Sequence, residues 1–218
     1  MMEFGPEYYD ADYYRPGKKS GYNLPYTWAV ESGNFQRKAM DIIAQYDPIK
    51  ILDVGCAKGF LVKALLMLGM DAYGIDISRY AIENCEPEVR GRVSQCWLKK
   101  DTIIPYEDDE FDVIISESVM EHIPESDISW VMREMARVSS RWVILELPVG
   151  LTWENEPRGD PSHMTYRPPC WWIARGYDAG LLCDLRLSRH ISSTPLPDHP
   201  PYQDAYLVFR RDRLDSRV

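Results

Sequence analysis

No apolar run in these 218 residues approaches the roughly 20 needed to cross a bilayer, so a membrane-spanning helix is not expected. Cysteine is sparse and never in a C-x-x-C pair. Cys56, Cys85, Cys96, Cys170 and Cys183 are odd in number and scattered, which implies neither a disulfide framework nor a zinc site. No metal is expected, and a reducing cytoplasm fits the pattern. Positive charge is also short: 25 Lys and Arg face 34 Asp and Glu, for a net charge of −9. A sequence-independent grip on nucleic acid, which needs Lys and Arg at the phosphates, is therefore not expected. Only Arg210 to Arg217 is locally basic, and it reads as a solvated tail. The acidic, tyrosine-rich start lacks the basic-then-apolar order of a secretory signal.

What remains is a chain able to bury one core, with hydrophobic residues at 45% and charged residues at 27%. A single domain over residues 1–218 is expected: an N-terminal arm to residue 24, a covering helix over 25–46 and a core over 47–211. The arm holds Tyr8, Tyr9, Tyr13, Tyr14 and Tyr22 without helical or strand period. In the covering helix Val30, Phe35, Ala39, Ile42, Ile43 and Tyr46 recur at three- to four-residue steps.

Strands and helices then alternate. Lys50 to Val54, Asp71 to Ile75, Phe111 to Ser116 and Trp142 to Leu147 read as strands. Gly59 to Leu68, Arg79 to Cys85 and Ser126 to Val138 read as helices. That order implies a parallel sheet covered on both faces, a doubly wound α/β fold. From Pro148 to Pro169 runs a loop too long for a plain connection, a candidate functional segment. A short helix at Trp171 to Tyr177 follows, then strands at Leu181 to Leu187 and Ala205 to Phe209, separated by the proline-rich Thr194 to Tyr202. Trp171, Trp172 and Ile173 read as helix anchors in the core.

The chemistry concentrates at Asp53-Val54-Gly55-Cys56-Ala57-Lys58-Gly59-Phe60, a strand that breaks into a small-residue turn and opens a helix. Gly55 and Ala57 allow close backbone approach, and the helix start offers free N–H groups and a positive dipole end, the features of a nucleotide-cofactor site. G-x-G-x-x-G is missing, since Ala57 and Phe60 stand at its second and third glycines, and this speaks against NAD. Asp76 lies 21 positions after Gly55, at the end of the adjacent strand, where its carboxylate can accept ribose hydroxyls. The competing reading is a cap of the following helix.

These stretches, with Gly74-Ile75-Asp76, Ile104-Pro105-Tyr106-Glu107-Asp108, Phe111-Asp112 and Ser118-Val119-Met120-Glu121-His122-Ile123, resemble the ordered motifs of class I S-adenosylmethionine-dependent methyltransferases, in particular the broad methyltransferase-domain group acting on small molecules. The resemblance covers Lys50 to Leu147. It implies a mostly parallel sheet of seven strands whose last strand is antiparallel, and S-adenosylmethionine as cofactor. Asp53, Gly55, Cys56, Ala57, Gly59, Asp76 and Ile77 are the implied cofactor residues on the first two strands, and Ser116 and Glu117 lie by the methionine end. Asp101 is the nearest candidate for the adenine amino group. Two departures stand out: Ala57 where the family has glycine, and an adenine acid off its usual spacing.

The acceptor side is read from Asp160-Pro161-Ser162-His163-Met164-Thr165-Tyr166, a polar loop after the fifth strand and so at the carboxyl edge of the sheet. His163 is the candidate general base, with a role in tying the loop together as the alternative. His122 reads as structural; His190 and His199 carry no signal. The arm tyrosines, Tyr14 among the cofactor contacts, read either as a lid over the cofactor or as core residues. A small polar acceptor is expected, a sugar or sugar-linked intermediate, methylated on oxygen or nitrogen. Rival readings are aminopropyl transfer, cofactor binding without turnover, and an NAD-dependent oxidoreductase.

Overall fold

The computed structural model describes residues 4–20, 22–149, 160–192 and 203–212. The first part of the long loop, the proline-rich segment, His199 and the end of the basic tail lie outside them. The chain divides into two compact units, Met1–Trp97 and Leu98–Val218.

In the first unit, α1 (Trp28–Tyr46) buries Ala39, Ile42 and Tyr46 and packs on α2 (Phe60–Met67). It starts later than the apolar period suggests because Thr27, still extended at φ −133° and ψ 153°, is its N-cap. Strand β1 (Lys50–Val54) pairs in parallel with β2 (Asp71–Asp76), from Lys50 opposite Asp71 to Val54 opposite Ile75. Helix α3 (Arg79–Glu83) ends two residues before the expected Cys85, where the Asn84 amide turns back to the Tyr80 carbonyl at 2.8 Å. Strand β3 (Val93–Gln95), parallel to β2, was not expected from the sequence: three residues with only Val93 buried carry no visible period.

In the second unit, β4 (Phe111–Glu117) pairs in parallel with β5 (Ser139–Val149), and α4 (Glu125–Val138) crosses between them with Ile128, Val131, Met132 and Met135 buried. Helix α5 (Pro169–Asp178) seats Trp172, which is fully buried, as the anchor reading expects. Three strands close the chain: β6 (Leu181–Cys183), β7 (Arg189–Ser192) and β8 (Gln203–Arg211), the last antiparallel to β5.

The expected strand from Leu181 to Leu187 is too long. Asp184 Oδ1 accepts from the Arg186 N–H at 3.0 Å and closes a turn, so the chain resumes extended pairing only at Arg189. Both β6 and β7 pair antiparallel with β8 along one edge and share one strand position. Among the described residues strand positions therefore number seven, three in the first unit and four in the second, with an antiparallel final strand.

Candidate active site

Strand β1 carries the buried Asp53 to the turn, and Gly55 and Gly59 follow at φ 86° and 76°, left-handed values that favour glycine. Ala57 also stands at positive φ, 47°. An L-residue there costs roughly 1 to 2 kcal/mol, so glycine suits this position for conformation as well as size. The strain is offset locally, because the Ala57 N–H donates to Asp76 Oδ2 at 2.8 Å. The second carboxylate oxygen, Oδ1, accepts from the Ser78 N–H at 2.7 Å.

Asp76 is thus built into the turn and does not cap α3; that role belongs to Ser78, whose hydroxyl accepts from the Ala81 N–H at 3.0 Å. Burial pushes the Asp76 carboxyl up to about 6, against the pull of those two N–H groups. Each carboxylate oxygen still has a further acceptor site, which fits two ribose hydroxyls. Cys56 is buried, and burial followed by the nearby Asp76 and Asp53 carboxylates holds its thiol well above the usual range, so it fills space and does not react. Ile77 is half-buried, its carbonyl taking the Gln95 amide at 3.0 Å.

The arm packs onto this turn. Tyr14 and Tyr26 are buried in one cluster with Phe60 and Ala81, against the partly buried Tyr22, Ala57 and Tyr80. Tyr14 stacks on Tyr80 at 5.9 Å, and its phenol is raised well above the usual range by burial and then by the Asp76 charge. The Ser78 hydroxyl donates to the Tyr9 carbonyl, latching the arm to the start of α3. Lys58 had no role in the sequence reading. It donates to the Tyr26 carbonyl at 3.3 Å and stands 5.7 Å from the ring centres of both Tyr14 and Tyr80. Partial burial lowers its pKa.

In the second unit the carboxyl ends of the parallel strands β4 and β5 carry the polar groups. Ser116 is buried at the end of β4, and among the described residues its Oγ has no hydrogen-bond partner, while Glu117 is half-buried beside it. Asp101 lies in an exposed turn at φ 66°. That turn is fixed nearby by Trp130, which donates to the Thr102 carbonyl at 2.8 Å.

Past β4, Met120–His122 form a single 3₁₀ turn, and residues 160–165 are bound to it. The N–H groups of Met164 and Thr165 both donate to the Glu121 carbonyl, at 2.6 and 2.9 Å, and the Thr165 hydroxyl donates to the Ile123 carbonyl at 2.6 Å. Asp160 Oδ1 accepts from the Ser162 hydroxyl at 2.6 Å, and Ser162 Oγ lies 2.9 Å from His122 Nδ1. A hydroxyl has one proton, and here it goes to the carboxylate, so Ser162 Oγ accepts from His122. His122 thereby carries a proton on Nδ1. Its ring meets His163 edge-on at 4.7 Å between centroids. The sequence reading singled out His163, which the structure does bring to this edge; it missed that His122 and the fully buried Glu121 stand with it.

The fold so built is that of the class I S-adenosylmethionine-dependent methyltransferases. Residues 52–141 match the family described as the methyltransferase domain. Among curated relatives, the O-antigen chain terminator bifunctional methyltransferase/kinase WbdD of Escherichia coli is 28% identical over 78% of this chain and 25% of its own length. The methyltransferase GfsG of Streptomyces halstedii is 37% identical over 41% of this chain and 33% of its own. The chain thus spans between a quarter and a third of the length of these relatives. Among solved structures, magnesium protoporphyrin IX methyltransferase from Synechocystis with bound S-adenosylhomocysteine aligns over 95% of this chain and 98% of its own, with a TM-score of 0.63 at 14% identity, a likeness of fold. Among the described residues no helix is long and apolar enough to cross a membrane.

Proposed function

We propose that this protein transfers a methyl group from S-adenosylmethionine to a hydroxyl oxygen of a small polar acceptor, a sugar or sugar-linked intermediate, in the cytoplasm. The observation that carries the acceptor side is the Asp160–Ser162–His122 chain, which places the His122 imidazole beside His163 past the carboxyl end of β4. Ligands of open α/β sheets bind at that edge. A sugar acceptor is supported by the relatives named as O-antigen chain terminators.

On this reading Asp76 takes the ribose hydroxyls and the Gly55–Gly59 turn, with Asp53, Cys56, Ala57 and Ile77, lies against the cofactor's methionine and ribose portions. Tyr14 covers the turn. Ser116 and Glu117 are assigned to the methionine end, and Asp101 to adenine, on the motif pattern alone.

The cofactor supplies an electrophilic methyl on a sulfonium. The acceptor oxygen forms a bond to that carbon as the carbon–sulfur bond breaks, its electron pair returning to sulfur, and the hydroxyl proton leaves to an imidazole or to water. The protein's own contribution is to hold the oxygen in line in a water-poor site and to assist loss of its proton. Incubation with methyl-labelled S-adenosylmethionine and a panel of free sugars, nucleotide sugars and amines tests this. Label is expected on a hydroxyl of a sugar compound; label appearing on amines alone, or on nothing while the cofactor binds, would reject the acceptor class.

A further inference from the structure

We propose that Glu121, His122 and His163 form a binding site for one divalent first-row transition-metal cation. Two imidazoles and a carboxylate make a donor set that suits zinc, iron or cobalt and leaves coordination positions open. The three are brought together from positions forty residues apart by main-chain hydrogen bonds, not by side-chain chance: the Glu121 carbonyl takes both the Met164 and Thr165 N–H groups, which sets His163 next to it. Their ligand atoms lie within 4.8 Å of one another. Donors bound to one ion at about 2.1 Å stand about 3.4 Å apart in a tetrahedron, so the three side chains would draw together on taking up an ion.

A second observation concerns the groups behind the ligands. His122 donates its Nδ1 proton to Ser162, which donates in turn to Asp160. A metal-binding histidine characteristically hands its other ring proton to such a partner, which fixes the tautomer and makes the remaining nitrogen more basic. Glu121 is fully buried and His122 and His163 are half-buried, so the donors are not a solvated surface group. A cation held there would occupy the imidazole nitrogens and, in place of an imidazole base, draw electron density from an acceptor hydroxyl and ease loss of its proton to water. This last role rests on the proposed acceptor reading; the site itself does not.

The test titrates chelator-stripped full-length protein with Co2+, followed by visible absorption, and with Zn2+ by calorimetry. One equivalent is expected to bind. His163→Ala and His122→Ala should each weaken Co2+ by at least about 100-fold, and Ser162→Ala, which removes only the orienting bond, by about 10-fold. Affinity for S-adenosylhomocysteine, measured in parallel, should hold in all three and reports that they are folded. Glu121→Gln is the fourth variant, and because Glu121 is fully buried the half-buried His163→Ala carries the decision if it fails to fold. No Co2+ bound at millimolar concentration, or equal binding by parent and His163→Ala, overturns the site. Metal bound without any sugar labelled upholds the site and removes only the acceptor reading.

Discussion

Asp76 faces opposing demands at one carboxylate. Without ligand, burial holds its pKa at about 6, above the ordinary 3.8, so the folded protein keeps a proton that the unfolded chain releases. The sign follows: its contribution to stability is fully present below about pH 4 and is lost as pH rises through about 6. The difference in melting temperature between the ligand-free parent and Asp76→Asn should therefore shift against the parent across that window. In the proposed ribose role, binding would reverse the preference, because ribose hydroxyls donate to the ionised form. Parent affinity for S-adenosylhomocysteine is expected to rise over the same pH range, and Asp76→Ala should lose about 1.5 to 3 kcal/mol of it by calorimetry. Unchanged affinity in the alanine variant would remove Asp76 from the ribose. On the acceptor side, His163→Ala should slow turnover about 100-fold with cofactor affinity nearly constant. A matched fall in melting temperature and in both affinities would mark His163 as structural.

The elements most legible in the sequence were those in which an apolar period and a chain-breaking residue agree. Strand β1 and the turn after it could be read to the residue, because Ile51, Leu52 and Val54 are all fully buried and Gly55 and Gly59 need left-handed backbone. Short polar strands such as β3 were not legible, since their pairing is decided by the neighbouring β2. Nor could the meeting of Glu121 with the loop be foreseen: its carbonyl is the acceptor, and a main-chain acceptor leaves no mark on residue type. Gly74 shows a requirement that the motif states without its reason. A Cβ at 74 would stand 2.6 Å from the Cys56 Cβ and 2.7 Å from its Sγ, inside contact distance. Gly74→Ala is expected to push the turn away from β2, lowering stability by roughly 1 to 3 kcal/mol and weakening S-adenosylhomocysteine. Thermal melts and calorimetry on the same variant check both; an unshifted melt would show that the turn yields freely.

At the scale of the whole chain, the arm decides between two readings that the tyrosines left open. Tyr9 and Tyr14 are buried at 6% exposure each, so the arm is packed and not a loose strand over the surface. Yet its attachment is local. It rests on Phe60, Ala81, Tyr26 and Tyr80 and on the Ser78 latch, while β1, β2 and α2 of the same unit keep a core of their own in Ile51, Leu52, Val54, Ala64, Leu65 and Ile75, all fully buried. Removing residues 1–17 should therefore lower the melting temperature without abolishing folding, because it strips aromatic cover from Tyr26 and Tyr80 but opens no cavity beneath β1. The same deletion exposes Asp76 to water, and a solvated carboxylate returns toward its ordinary pKa. The truncated protein should accordingly lose the pH dependence of stability near 6 and bind S-adenosylhomocysteine more weakly at neutral pH, as a segment that excludes water from a ligand would require. Circular dichroism melts across pH 4 to 8, paired with calorimetry, separate the two accounts. Loss of the folded signal at room temperature would make the arm part of the core, whereas a stable truncation with undiminished affinity would deny it any part in covering the cofactor.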